Sequence, residues 1–162
     1  MRTAKFICLC IVVTALAAGQ QAAPKGSAYG AWILDASASK LAVGLELAKG
    51  RQTVYENGVI LAFVTTKGEP LALAYSLDAG KNCIQLGHTP GAKCELTIND
   101  KGGKVSVDSP SGATTAWTWK VSADGQTLTT QSKRVQAGKT TEGTLVGKRL
   151  PTPTGAARKS AK

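Results

Sequence analysis

Residues Ala113–Thr130 read ATTAWTWKVSADGQTLTT, two tryptophans two positions apart and then an Asp124-Gly125 break. In an extended chain successive side chains point to opposite faces. Ala113, Thr115, Trp117, Trp119 and Val121 then share one face, and Thr114, Ala116, Thr118, Lys120 and Ser122 the other. Lys120 and the threonines mark the wet side, so the tryptophan face is an interior. Beyond Asp124-Gly125, Leu128 stands almost alone as an apolar residue in Thr127–Val135. An interior that sets two indoles against Thr- and Gln-bearing neighbours is not uniformly oily. The rings either pack a core or line a ligand cavity, since ligand sites combine aromatic walls with a few polar groups. Base stacking fits less well, because it needs aromatics on an exposed face beside clustered cations.

The same rhythm runs along the chain. Short stretches rich in Val, Ile, Thr, Leu and aromatics alternate with Gly, Asn, Asp and Pro at the spacing of a sandwich or barrel. Strands are predicted over 29–34, 51–57, 59–66, 70–77, 82–87, 93–98, 103–108, 114–122, 126–135 and 142–150. Asn57-Gly58 is the favoured two-residue hairpin signal, both positions being expected at positive φ. Gly68-Glu69-Pro70, Asp78-Ala79-Gly80 and Asp100–Gly103 repeat the turn chemistry. Only Ser37–Lys49 offers a helix or lid, and Gly44 with Val43 limits it to one or two turns. Consecutive hairpins leave exposed sheet edges, which closure removes most completely. The expected fold is therefore all-β, a small up-and-down barrel of about 8–10 antiparallel strands, with a β-sandwich as the second choice.

The chain opens with Arg2 and Lys5, continues through an uncharged Phe6–Ala18, and reaches small and polar residues at Gly19-Gln20-Gln21. This is the pattern of a secretory signal peptide. The apolar run is shorter than the ~20 residues that cross a bilayer. Residues 1–19 are read as the signal peptide, 20–27 as a linker, 28–150 as one β domain and 151–162 as a disordered basic tail rich in Pro, Ala and Lys. The expected mature protein has no transmembrane segment and is exported, to the periplasm or beyond.

Removal of the leader takes Cys8 and Cys10 and leaves Cys83 and Cys94. A matched pair in an exported protein predicts a disulfide. Pro90-Gly91 lies between them, so the cysteines are expected to face each other across a hairpin. The net charge of the whole chain is +10. Leader and tail carry five of those cations, Arg2, Lys5, Arg158, Lys159 and Lys162, which leaves +5 on the body. The remaining lysines are scattered, which favours solubility and loose attraction to anionic surfaces over a specific nucleic-acid groove.

Catalytic patterns are not met. His88 is the one histidine, and it sits in Leu86–Gly91 between the cysteines, the ordinary place for a turn residue. Cys83, His88 and Cys94 match no closed four-ligand zinc spacing. Asp78, Asp100, Asp108 and Asp124 all stand in turn signals. No phosphate loop or nucleophile elbow is present. A non-enzymatic protein without metal or cofactor is expected.

Gly30-Ala-Trp-Ile-Leu-Asp35 followed by Ser39-Lys40-Leu41, and later Val121-Ser-Ala-Asp-Gly-Gln-Thr-Leu-Thr129, resemble the opening and closing motifs of small exported bacterial lipocalin-like proteins of unassigned function. The resemblance covers 28–150 at its two ends. It implies a barrel of about eight strands able to hold a small molecule, with Trp32 closing its base and no catalytic residue. The function predicted is binding of a small apolar or amphipathic molecule in the barrel interior, with Trp117, Trp119, Tyr75 and Phe63 as candidate contacts. The alternative is an envelope-associated interaction or inhibitor protein that works through its loops and basic tail.

Overall fold

The computed structural model describes residues 26–41, 46–86 and 90–151. The proposed signal peptide, most of the linker, almost all of the tail and His88 lie outside those residues. Ten antiparallel strands follow one another: β1 (Gly30–Leu34), β2 (Leu47–Tyr55), β3 (Gly58–Thr65), β4 (Pro70–Asp78), β5 (Asn82–Leu86), β6 (Lys93–Asn99), β7 (Gly102–Asp108), β8 (Thr114–Val121), β9 (Thr127–Gln136) and β10 (Lys139–Arg149). Each pairs with its neighbour in sequence except β5 with β6, and β1 also pairs with β10. The result is a meander wrapped into a nearly closed barrel, as the turn rhythm predicted. Its single seam lies between β5 and β6.

Alternation decides what faces in. The row Trp32, Gln52, Leu61, Leu73 runs across β1 to β4, and Gly103, Trp119, Thr130, Leu145 runs across β7 to β10. Two apolar clusters fill the barrel. One gathers Trp32, Val54, Val59, Tyr75, Val105, Trp119 and Leu128, and the other Leu34, Leu47, Leu61, Phe63 and Leu145. Leu73 and Trp117 touch both, so the interior is continuous. At ~25 cal/mol per Å² of apolar surface, burial of such side chains is the main favourable term.

The Cys83–Cys94 disulfide forms, with Cα atoms 5.5 Å apart. It is not the hairpin rung that Pro90-Gly91 suggested. No ladder joins β5 to β6, so the bond staples the two free edges of the sheet across the seam. Among the described residues β5 pairs with Ala74–Asp78 of β4 and not with Pro70–Leu73.

Two local expectations fail for identifiable reasons. The hairpin read at Asn57-Gly58 turns one residue earlier, at Glu56-Asn57, with Tyr55 opposite Gly58. Neither Asn57 nor Gly58 takes positive φ. Gly58 is required instead because a Cβ would lie 2.8 Å from the Tyr75 carbonyl oxygen. The helix read over Ser37–Lys49 is absent from its described part: Ala36–Ala38 form a turn, Lys40 bridges Thr144, and Leu47–Lys49 already belong to β2, while 42–45 lie outside the described residues. The turn is stabilised by Asp35, whose carboxylate accepts from the Ser37 hydroxyl at 2.6 Å and the Ser37 and Ala38 amides. Those bonds, with Lys148 at 3.2 Å, lower its pKa from 3.8 to about 2.

Replacing Cys83 and Cys94 by serine is expected to lower unfolding free energy by about 3 kcal/mol, the loop-closure value for so short a loop, with the β circular-dichroism spectrum kept. Urea denaturation of both forms measures it. The depressed Asp35 pKa means that its stabilising contribution is complete above about pH 4 and is lost as pH falls through about 2. Carboxyl NMR titration, with Asp35→Asn as reference, checks both the value and the sign.

Candidate functional site

One end of the barrel is tied together around Trp32 and Arg149. Trp32 is 0% exposed, and its Nε1 donates to the Ala28 carbonyl at 3.0 Å. Arg149, directly opposite on β10, places its guanidinium 4.1 Å from the indole centroid. The same guanidinium donates from Nε to the Gly125 carbonyl at 2.6 Å, from Nη1 to the Tyr29 carbonyl at 3.0 Å and from Nη2 to the Ser27 carbonyl. One planar cation thus ties the segment before β1 to the β8–β9 turn and covers the ring. Burial shifts the Arg149 pKa below its ordinary value. In the sequence Arg149 stands beside Lys148 as one more cation, which hides this role. The alternation Leu145, Gly147, Arg149 along β10 was the available signal, because it points Arg149 inward.

Trp117, Trp119 and Tyr75 meet around one interior cavity, with Gln52, Leu73 and Thr130 completing much of its wall. Phe63 does not join them: it packs with Leu34, Leu47 and Leu61 in the other cluster. The predicted alternation on β8 holds, with Trp119 1% exposed and Lys120 on the wet face. Room for the Trp119 ring comes from Gly103, where a Cβ would lie 2.5 Å from its Cζ2. Gly102, read as part of a turn, is therefore a strand residue of β7 pressed against the Trp119 backbone, and Gly103, read both in that turn and at the start of the 103–108 strand, makes space for the indole.

Polar groups inside this wall are unequally satisfied. Thr130 donates to Gln52 Oε1 at 2.7 Å, a buried bond from β9 to β2 that ties opposite walls. Sequence reading anticipated the mixed interior from Thr130 but not its partner, since Gln52 is distant in the chain. The Nε1 groups of both Trp117 and Trp119 are buried and have no hydrogen-bond acceptor among the described residues. An orphaned buried donor costs about 1–3 kcal/mol, so two of them on neighbouring residues of one cavity wall are a specific chemical feature. Burial also raises the Tyr75 phenol above its ordinary pKa, keeping it neutral. The cavity measures about 10 Å³, the room of one water-sized group.

The described residues contain no cluster of three metal-ligating side chains and no helix long and apolar enough to cross a membrane. What they define is an antiparallel β-barrel with a mixed, donor-bearing interior. Comparison with protein-family models, with curated proteins and with solved structures found no match.

Arg149→Lys keeps the charge but loses the planar fork, and is expected to destabilise the protein by about 1–3 kcal/mol. Gly103→Val should cost at least as much by displacing Trp119. Chemical denaturation gives both values, and near-ultraviolet circular dichroism should change more for the Gly103 variant.

Proposed function

We propose that this is an exported, non-enzymatic binding protein that holds a small amphipathic molecule in its barrel. The observation that carries the reading is the pair of buried indole N–H groups without acceptors among the described residues, those of Trp117 and Trp119, two rings that line one interior cavity beside Tyr75. A carbonyl, ether or carboxyl oxygen of the ligand would accept from them. Its apolar part would lie among Val59, Leu61, Leu73 and Val105, which share that wall.

The cavity of about 10 Å³ admits the head alone. A longer ligand enters by displacement of Leu73 and Tyr75, both on β4, the strand next to short β5 and the seam. That wall lacks ladder bonds to β6 and is the part of the barrel least expensive to move. The resemblance to small exported lipocalin-like barrels supports the same reading. Export itself is supported by the leader-like Arg2–Gln21 stretch and agrees with a formed disulfide.

Native mass spectrometry of protein purified from its source should show a retained small molecule. Titration with medium-chain ketones and carboxylic acids should change tryptophan emission, and Trp117→Phe should weaken that binding about tenfold, the worth of one buried hydrogen bond. No retained molecule together with no spectral response would reject the reading.

A further inference from the structure

The outer surface of the barrel is divided. Among the described residues the exposed large apolar side chains are Ile33, Tyr55, Ile60, Ile84 and Leu86 at outward positions, and Leu71, which shares the inward register of Phe63, and all belong to β1–β5. The outward positions of β7–β9 carry Lys104, Thr118, Lys120, Gln131 and Lys133 instead. Strand β3 (GVILAFVT) is apolar on both faces, and the outward face of β4 (PLALAYSLD) begins with Pro70, Ala72 and Ala74 before turning polar at Ser76 and Asp78, although the barrel buries only one face. Single exposed apolar residues need no explanation, but a contiguous set on one side does.

That side holds a groove of about 700 Å³ across β1–β4. Its floor is bare because the outward row Ile33, Arg51, Ala62, Ala72 ends in two alanines, and its far wall is Val64 with Pro70. Lys49 and Arg51 line it too, two residues apart on the same outward face of β2 and so about 7 Å from each other. Neither makes an ion pair among the described residues, and no acidic residue lines the groove.

We propose that this groove is a second binding site, distinct from the barrel interior, for one anionic single-chain amphiphile: its acidic head lies between Lys49 and Arg51 and its chain over Ala62 and Ala72. The volume falls in the range of small-molecule sites, about 300–1,000 Å³. Charge complementarity selects the occupant. A second copy packed face to face would set Lys49 and Arg51 against basic residues with no acid to meet them. A flat bilayer surface would not reach the recessed alanine floor.

The test is NMR titration of the full protein with decanoate below its micelle concentration, using decyltrimethylammonium as the charge-reversed control. Saturable one-to-one amide shifts on β2–β4 with decanoate, at least tenfold weaker with the cationic control and with Lys49→Gln/Arg51→Gln, support the proposal. Both substitutions lie on the exterior, and the Trp117 and Trp119 indole signals report separately on the interior, so failure of either site is seen on its own. Equal shifts with both head groups, binding only to anionic phosphatidylglycerol vesicles, or concentration-dependent dimerisation in sedimentation that buries the groove would each overturn it.

Discussion

Closure of the sheet through the β1–β10 ladder is the constraint on which the remaining structure rests. It converts ten successive hairpin strands into a wall with an inside, and it leaves one interruption, between β5 and β6. A sheet edge carries unpaired N–H and C=O groups that invite pairing with other chains. Here the two edges are turned toward each other and joined covalently by Cys83–Cys94. The disulfide therefore does more than shorten the unfolded chain's freedom: it holds closed the one line that hydrogen bonds do not.

Closure also sets the chemistry of the interior. Side chains from opposite walls must fill the same space, so large rings demand absences elsewhere. Gly103 yields to Trp119, and Gly50 leaves room for Leu34 and Phe63. At the base, Arg149 seals Trp32 with three backbone carbonyls and a ring face, a polar plug that needs no further partner. Higher in the barrel the polar groups are not all paired. Gln52 and Thr130 satisfy one another, whereas the indole N–H groups of Trp117 and Trp119 do not find acceptors among the described residues. The contrast between a sealed base and an unsatisfied middle is what locates the candidate interior site.

Much of this was legible in the residues. Val, Thr and aromatic alternation broken by Gly and Asp placed ten strands close to their observed bounds, because period-two patterning and turn chemistry are local properties. The face assignment of Trp117 and Trp119 followed from Lys120 between solvent-facing threonines. The misreadings share a cause as well. Gly58 and Gly102 look like turn glycines, yet each is required by a neighbour remote in sequence: the Tyr75 carbonyl for Gly58 and the Trp119 carbonyl for Gly102. Arg149 looks like a surface charge until the register sets it against Trp32.

The β architecture, the strand order of a meander and the pairing of Cys83 with Cys94 could be read from the residues alone, since alternation, turn residues and two cysteines eleven positions apart act over short stretches of chain. Tertiary structure alone decided where the seam falls, that the disulfide spans it, that Phe63 parts from Trp117, Trp119 and Tyr75, and that Lys49 and Arg51 flank an apolar groove. Those outcomes depend on register and wrapping, which bring residues tens of positions apart to within a few ångströms, and no local pattern carries that distance.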